Sequence, residues 1–145
     1  MNEDMNIGVI RKLFDHLNMR DLDASDPNFG EEYLATSPSW PSPFRRDQVK
    51  AALKAINDAF PDCRFEIRDI IAQGDKVVAT WEITGTHTNA FTSVIGETIP
   101  ATNKKIKVAA STLYEFKDGS LIRQDTYLDQ YALLSQLGAL GVAQG

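Results

Sequence analysis

His87 is a candidate for proton chemistry because it lies near the end of a strand-like stretch, WEITGTHTNAF, over residues 81–91. It is one of two histidines in a chain of 145 residues. An imidazole titrates near physiological pH and can serve as a general acid, a general base or a hydrogen-bond donor. Thr86 and Thr88 flank the ring. We expect these hydroxyls to orient His87 at the rim of a cavity, where it either handles protons or only holds the loop that follows.

Two carboxylates near the C-terminus are further candidates for acid/base catalysis. Asp125 alternates with Arg123 and Tyr127 in the strand-like segment 121–128. Either a one-residue bulge turns Asp125 inward, where it acts as a general acid or base, or the carboxylate pairs with Arg123 on the outer face of the sheet. Asp129 precedes a short helical segment, so it is either a second catalytic carboxylate or the N-cap of that helix.

Aromatic side chains could line a binding cavity near these groups. Trp40 and Phe44 lie in a proline-rich loop, and they serve either as a lid over the cavity or as anchors that fasten the loop to the core. The long loop over residues 88–103 is expected to form a flap. Three further aromatic residues are candidate substrate contacts, although aromatic side chains on strands more often belong to a core or an interface. They are Trp81, Phe91 and Tyr114.

Composition and charge restrict the class of partner. The net charge is −5, and an acidic chain gains nothing from displacing the counterions of phosphates, so we expect neither nucleic acid nor membrane as a partner. Cys63 is the single cysteine, which rules out an internal disulfide, and no histidine–cysteine spacing resembles a zinc site, so no metal is expected. The N-terminus lacks a basic, apolar leader and no apolar run has membrane-spanning length, which indicates a cytoplasmic protein.

The periodicity of apolar residues predicts the elements that must position these groups. Helical spacing covers about 2–18 and the segment from Asp47 to Phe60, whereas 20–46 is predicted as short turns and a loop. Strands and a short terminal helix follow. The strands begin near Arg64 and then cover 76–87, 104–116 and 121–128, and the terminal helix covers about 131–137. Helices before a meander of strands predict one α+β domain over residues 1–145, with a curved antiparallel sheet wrapped around the N-terminal helices.

Such a curved sheet leaves a cavity on its concave side, and its last strand predicts an assembly. Large side chains occupy both faces of this strand, with Leu121 and Tyr127 on one side and Ile122 and Leu128 on the other. One face lines the cavity and the other is exposed, but alternation alone leaves open which is which. Because an exposed apolar patch of this size is unusual on a monomer, we expect a homodimer that covers the outer face of the sheet.

Three segments carry a resemblance to a known family. They are AFPDCRFEIRDIIAQGDKVVATWEITGTHTNAF, YEFKDGSLIRQDTYLDQYALLSQLG and DLDASDPNF. The chain resembles the SnoaL-like polyketide cyclases of the nuclear-transport-factor-2-like superfamily, which are cone-shaped α+β barrels. The similarity extends from the first helix to Gly138. It is specific for the fold, whereas the superfamily includes both enzymes and binding proteins.

The resemblance implies a cofactor-free intramolecular aldol cyclisation of a small, largely apolar carbonyl compound. Catalytic members are expected to carry an Asp in the last strand and a His on the strand before it. At the corresponding positions this chain has Thr126 and Thr112, with Asp125 next to the acid position. Thr112 and Thr126 are therefore candidate substrate contacts, and Asp125 with His87 is the pair expected to carry any acid/base chemistry.

Three functions remain open on these residues, and each would take a small apolar ligand or substrate without a cofactor. The first is a cyclase-like acid/base enzyme. The second is a small-molecule-binding protein that lacks the catalytic pair, and the third is an epoxide hydrolase or dehydratase on the same scaffold. A carboxylate or a histidine on the cavity wall would favour an enzyme, whereas a wall with neither would favour a binding protein.

Overall fold

The computed structural model describes residues 2–92 and 96–139, which form three α-helices, one 3-10 helix and seven strands. The α-helices are α1 (Asn2–Asn18), α2 (Arg46–Ala59) and α3 (Gln130–Gln136), and the 3-10 helix covers Asp26–Asn28. The strands are β1 (Phe29–Thr36), β2 (Arg64–Gln73), β3 (Lys76–Thr86), β4 (Phe91–Thr92), β5 (Thr98–Ile99), β6 (Lys105–Lys117) and β7 (Ser120–Leu128).

The main sheet has five strands in the order β1-β7-β6-β3-β2, and β4 and β5 form a separate hairpin. Strands β2, β3, β6 and β7 are antiparallel, as the sequence predicts. The fifth strand, β1, lies in the segment predicted as turns and a loop, and it pairs with β7 in parallel. The sheet is therefore mixed, and the expectation of a purely antiparallel sheet was wrong at this edge.

The helices and the inner face of the sheet form the hydrophobic core. Helix α1 buries Ile10, Leu13 and Phe14. On β6 every second residue is buried, because successive side chains of a strand point to opposite faces. These buried residues are Ile106, Val108, Ala110, Thr112, Tyr114 and Phe116. The face of β6 that carries Thr112 and Tyr114 is thus the concave, helix-covered face.

A bulge in β7 decides which residues of that strand face inward. Leu121 pairs with Phe116, whereas Arg123 pairs with Glu115, so Ile122 is the extra residue. A bulge shifts the alternation of the residues that follow it. Leu121 therefore packs into the core with the even-numbered residues after the bulge, and Arg123 and Asp125 lie on the outer face. The alternating set that contains Leu121 and Tyr127 is therefore split between the two faces, since Leu121 is buried in the core and Tyr127 is exposed.

The loop over residues 88–103 contains the small hairpin of β4 and β5, with Phe91 paired to Ile99. The part of this expected flap at positions 93–95 lies outside the described residues. The Asp-Gly turn between β6 and β7 has the expected hairpin geometry, with positive φ angles of 51° at Asp118 and 81° at Gly119. No helix in the described ranges is both long and apolar enough to cross a membrane.

Candidate ligand-binding site

A cavity of about 290 Å³ lies between the inner face of the main sheet and the helices α1 and α2. Its size is close to the lower end of the range typical of small-molecule sites. Most of its lining is apolar. The helices contribute Leu13, Phe14, Leu17, Val49, Leu53 and Ile56, and the main sheet contributes Ile83, Ile106, Val108 and Leu128. Such walls fit a ligand whose surface is largely apolar.

Most of the residues expected to contact a substrate lie in this lining. Six of them do so: Trp40, Trp81, Phe91, Thr112, Tyr114 and Thr126. Phe44 is the exception, because it is buried behind the cavity wall and stacks on Trp40 with ring centroids 4.1 Å apart. Backbone hydrogen bonds between Phe44 and Ala35 fasten this loop to β1. Phe44 thus has the anchoring role that the sequence left open, and Trp40 lines the cavity.

Two threonine hydroxyls meet on the inner face of the sheet. Thr112 of β6 and Thr126 of β7 are directly opposite in the register, and their Oγ1 atoms are 2.9 Å apart. The indole Nε1 of Trp81 donates a hydrogen bond to Thr112 Oγ1 at 2.9 Å. Thr112 is only 1% exposed. Trp81, Thr112, Thr126 and the neighbouring Tyr114 are called the hydroxyl cluster below.

Two buried tyrosines, one beside Thr112 on β6 and one on β1, remain protonated at physiological pH. Burial raises the pKa of Tyr114 and of Tyr33 far above the usual range for a phenol. Tyr33 donates its hydroxyl hydrogen to Oε1 of Gln124 at 2.9 Å, and Gln124 itself lines the cavity opposite Tyr114. The inner face of β6 and β7 therefore presents neutral polar side chains at two neighbouring cross-strand pairs, Thr112 with Thr126 and Tyr114 with Gln124.

The described cavity lining has two charged residues, Arg46 and Glu97. Arg46 is held by protein groups: its Nε donates to Asp26 at 3.1 Å, its Nη2 donates to the carbonyl of Leu22 at 2.7 Å, and its guanidinium lies 4.0 Å from the centre of the Phe29 ring. Glu97 is exposed and lies next to the β4–β5 hairpin. No described aspartate or histidine belongs to the lining.

Asp125, the expected acid/base group, lies on the outer face of the sheet, and both of its carboxylate oxygens are bound by other side chains. Its Oδ1 accepts a hydrogen bond from the Thr36 hydroxyl at 2.6 Å, and its Oδ2 accepts from Arg123 Nε at 2.7 Å. Arg123 Nη2 completes a two-pronged ion pair at 2.6 Å. The bulge at Ile122 precedes Asp125, so it leaves the carboxylate outside instead of turning it inward. Asp125 is 6% exposed because β1 covers it.

His87 lies deeper than the expected cavity rim, since it is 0% exposed. Its ring stacks on Phe60, which does line the cavity, with centroids 5.2 Å apart. The hydroxyl that contacts its Nδ1 belongs to Thr102, at 3.0 Å, and the Thr102 backbone N–H donates to the same nitrogen at 3.2 Å. Thr86 instead bonds to Asp62. The expectation that Thr86 and Thr88 orient the ring was therefore wrong for Thr86.

The chemistry available to His87 is limited by its burial. Burial lowers the pKa of the imidazole, so the ring is neutral at physiological pH. Backbone hydrogen bonds join His87 to Asn103 and Lys104, so the residue ties the end of β3 to the end of the 88–103 loop. Within the described residues, its Nε2 is buried without a hydrogen-bond partner.

Asp129 caps helix α3. Its carboxylate accepts a hydrogen bond from the backbone N–H of Ala132 at 2.9 Å, which is the geometry of an N-cap. In residues 2–92 and 96–139, no group of three or more His, Cys, Asp or Glu side chains is placed to hold a metal ion.

Comparison with protein families assigns the fold. A family model described as SnoaL-like polyketide cyclase matches residues 8–137. The chain belongs to the SnoaL-like polyketide cyclase family. No curated protein is similar enough in sequence to count as a match.

Solved structures agree with this assignment. A proposed SnoaL-like polyketide cyclase from Jannaschia sp. CCS1 aligns with a TM-score of 0.81 at 20% identity, covering 94% of each chain. AclR, a proposed hydroxylase from Streptomyces galilaeus, aligns with a TM-score of 0.80 at 20% identity over 92% of this chain and 84% of its own. A proposed polyketide cyclase from Acidithiobacillus ferrooxidans is 27% identical, with a TM-score of 0.75 over 90% of this chain and 92% of its own. At 20% identity the first two establish the fold alone.

Within this SnoaL-like fold, the structure brings together some of the expected site residues and separates others. Thr112 and Thr126, which stand at the positions expected for the His and the Asp of catalytic members, are in direct contact in the cavity. Asp125 and His87 do not lie together in the described lining. Gln124 was missed, although it shares the alternating set of Thr126 and could have been found from that set.

Proposed function

We propose that this SnoaL-like protein binds a small, largely apolar molecule without catalysing its cyclisation. The observation that carries the proposal is the Thr112–Thr126 hydroxyl pair, with an Oγ1–Oγ1 distance of 2.9 Å, where an acid/base pair is expected in catalytic members. Aldol cyclisation requires a group that takes a proton from carbon near neutral pH. A threonine hydroxyl is too weak a base for this role.

The wall of the cavity supports binding of an apolar body. Both tryptophans of the chain, Trp40 and Trp81, lie in the lining together with aliphatic residues from three helices and four strands. Burying apolar ligand surface there contributes roughly 25 cal/mol per Å². The ligand is enclosed without any charged group from the main sheet, which favours an uncharged compound.

A cyclase remains the second candidate because of Glu97, the one carboxylate in the described lining. If the hairpin segment brings this side chain over a bound ketone, Glu97 would act as the base. An epoxide hydrolase is less favoured, since it needs a buried carboxylate with partners that orient water, and Glu97 is exposed.

The two candidates differ in whether a bound ketone exchanges its acidic protons. The test is a panel of uncharged one- to three-ring hydrocarbons and ketones, with indane and indanone among them, measured by calorimetry. Because every tryptophan of the chain lines the cavity, single-tryptophan variants Trp40→Phe and Trp81→Phe locate binding by their emission. Indanone is then incubated with the protein in D₂O, and loss of its α-proton signal is followed by NMR.

We expect saturable binding with no acceleration of α-proton exchange over buffer. If the protein accelerates exchange and Glu97→Gln abolishes the acceleration, the cyclase-type enzyme is correct and the binding protein is not. If no member of the panel binds, the proposed function itself is wrong.

A further inference from the structure

In the hydroxyl cluster, Trp81 determines the direction in which the threonine hydroxyls donate their hydrogen bonds. An indole N–H can only donate, and here it donates to Thr112 Oγ1 at 2.9 Å. Thr112 therefore uses one of its lone pairs on Trp81. Its hydroxyl hydrogen is then free to be donated to Thr126, whose Oγ1 is also 2.9 Å away.

This direction of donation is favoured by burial. If Thr126 donated to Thr112 instead, the hydrogen of Thr112, which is 1% exposed, would have no partner unless it turned to the neighbouring Tyr114 phenol. A buried hydrogen without a partner costs about 1–3 kcal/mol. With Thr112 as the donor, the unused hydrogen is on the half-buried Thr126, which lines the cavity.

The chain Trp81 → Thr112 → Thr126 therefore ends in a hydrogen aimed at the cavity contents. Each donor in such a chain polarises the next, so the last hydroxyl is a better donor than an isolated threonine. Tyr114 adds a phenol that stays protonated, because burial raises its pKa. No carboxylate or imidazole in the described lining faces this cluster from β3, β6 or β7.

We infer that this site selects an uncharged ligand with a hydrogen-bond acceptor oxygen, such as a ketone, ester or quinone. Thr126, the last donor of the chain, donates its hydrogen to that oxygen. The inference rests on the proposed binding function. It makes Thr126 the residue that determines specificity, with Trp81 and Thr112 as positioning residues that act through it. A ligand of the same shape without the oxygen leaves the Thr126 hydrogen buried without a partner and binds more weakly.

Indanone and indane are the matched probes, because they share a two-ring skeleton and differ at the carbonyl. Calorimetry measures the ratio of their dissociation constants for the wild type and for Thr126→Val, which removes the hydroxyl with little change of shape. Thr126→Ser keeps the hydroxyl. Thr84→Val is the matched control, because Thr84 follows on β3 with its side chain on the face opposite Trp81.

We expect the wild type to bind indanone about tenfold more tightly than indane, and Thr126→Val to bring this ratio close to one. Thr126→Ser and Thr84→Val should keep the preference. Thr112→Val should weaken the preference without abolishing it, because Thr126 keeps the hydrogen that it donates but loses the neighbour that polarises it. Comparing two ligands on each variant cancels general effects of a substitution on the cavity.

The failures of the two proposals are distinguishable. Equal binding of indane and indanone by the wild type would overturn the acceptor selectivity and leave the binding function standing. So would a preference for indanone that survives Thr126→Val. If neither probe nor any other member of the panel binds the wild type, both proposals are overturned. The wild-type ratio decides the matter even if a valine variant does not fold.

Discussion

Asp125→Asn separates a structural carboxylate from a catalytic one. Asp125 accepts hydrogen bonds from Thr36 at 2.6 Å and from Arg123 Nε at 2.7 Å. Asparagine keeps one oxygen for Thr36, but its amide hydrogens meet the guanidinium of Arg123, donor against donor. The Arg123 side chain is 49% exposed, so the ion pair itself contributes at most about 1 kcal/mol. Loss of the charge-assisted bond to Thr36 adds about 1 kcal/mol.

The expected result is a loss of about 2 kcal/mol in the free energy of unfolding, or about 4–8 °C in Tm for a chain of this length. Denaturant titration and a thermal scan measure both quantities. The affinity for indanone should not change, since Asp125 is outside the described cavity lining. Asp118→Asn, in the exposed turn between β6 and β7, is the charge-matched control and should change stability by less than about 0.5 kcal/mol. An unchanged Tm together with a tenfold loss of binding or proton exchange would refute this reasoning and return Asp125 to the active site.

Two other properties can be measured in the same way. Burial lowers the pKa of His87 in the folded protein, so below about pH 6.5 the unfolded chain binds a proton that the folded chain does not. The free energy of unfolding is therefore highest above that pH, and it decreases as the pH falls towards the lowered pKa of the folded protein. His87→Asn keeps an acceptor for the Thr102 amide and should show a shallower acid loss in denaturant titrations from pH 7 to 5, whereas parallel curves would contradict the linkage. The outer sheet face exposes Ile71, Val78 and Tyr127, and we propose that a second copy of the chain covers it. Light scattering should give twice the monomer mass at micromolar concentration, and Val78→Lys should give the monomer, whereas Met19→Lys, at a more exposed apolar site outside the sheet, should not.

Local patterns were sufficient to predict most elements of the fold. Helix α1 begins and ends where the helical spacing of its apolar residues indicates. On strand β6 every second residue from Ile106 to Phe116 is buried and those between them are partly or fully exposed, so its inner face could be predicted from the sequence. The Asp-Gly turn after it fixed the following hairpin. In these segments the periodicity of the chain and the tertiary environment agree.

Strand β1 could not be predicted because its order comes from a distant partner. Of its eight residues only Tyr33 and Ala35 are buried, and Glu31 and Glu32 interrupt the apolar pattern. What makes it a strand is the parallel pairing with β7. Because β1 was not predicted, the contact between Asp125 and Thr36 could not be predicted either.

The candidate site was predicted in part for a related reason. The residue types that line a cavity are visible in a sequence, and the expected aromatic residues and threonines do lie there. Which residues of β7 face the cavity depended on one bulge, at Ile122, because a bulge sets the direction of every later side chain on the strand. A single inserted residue leaves no signature in composition, and the mixture of polar and apolar residues on β7 hides the shift that it makes in the alternation. The burial of His87 likewise depends on its stacking with Phe60 and on Thr102, both of which are distant in sequence.

The parallel pairing of β1 also has a consequence for biosynthesis. The side-chain bonds that join these strands span 91 residues between Tyr33 and Gln124 and 89 residues between Thr36 and Asp125. β1 therefore leaves the ribosome long before β7 has been synthesised, and until then its backbone N–H and C=O groups lack the strand with which they pair. Contacts of such large sequence separation slow folding, and a waiting strand edge invites pairing with another chain. The acidic pair Glu31 and Glu32, which weakens the strand signal in the sequence, would keep that unpaired segment soluble until the last strand arrives.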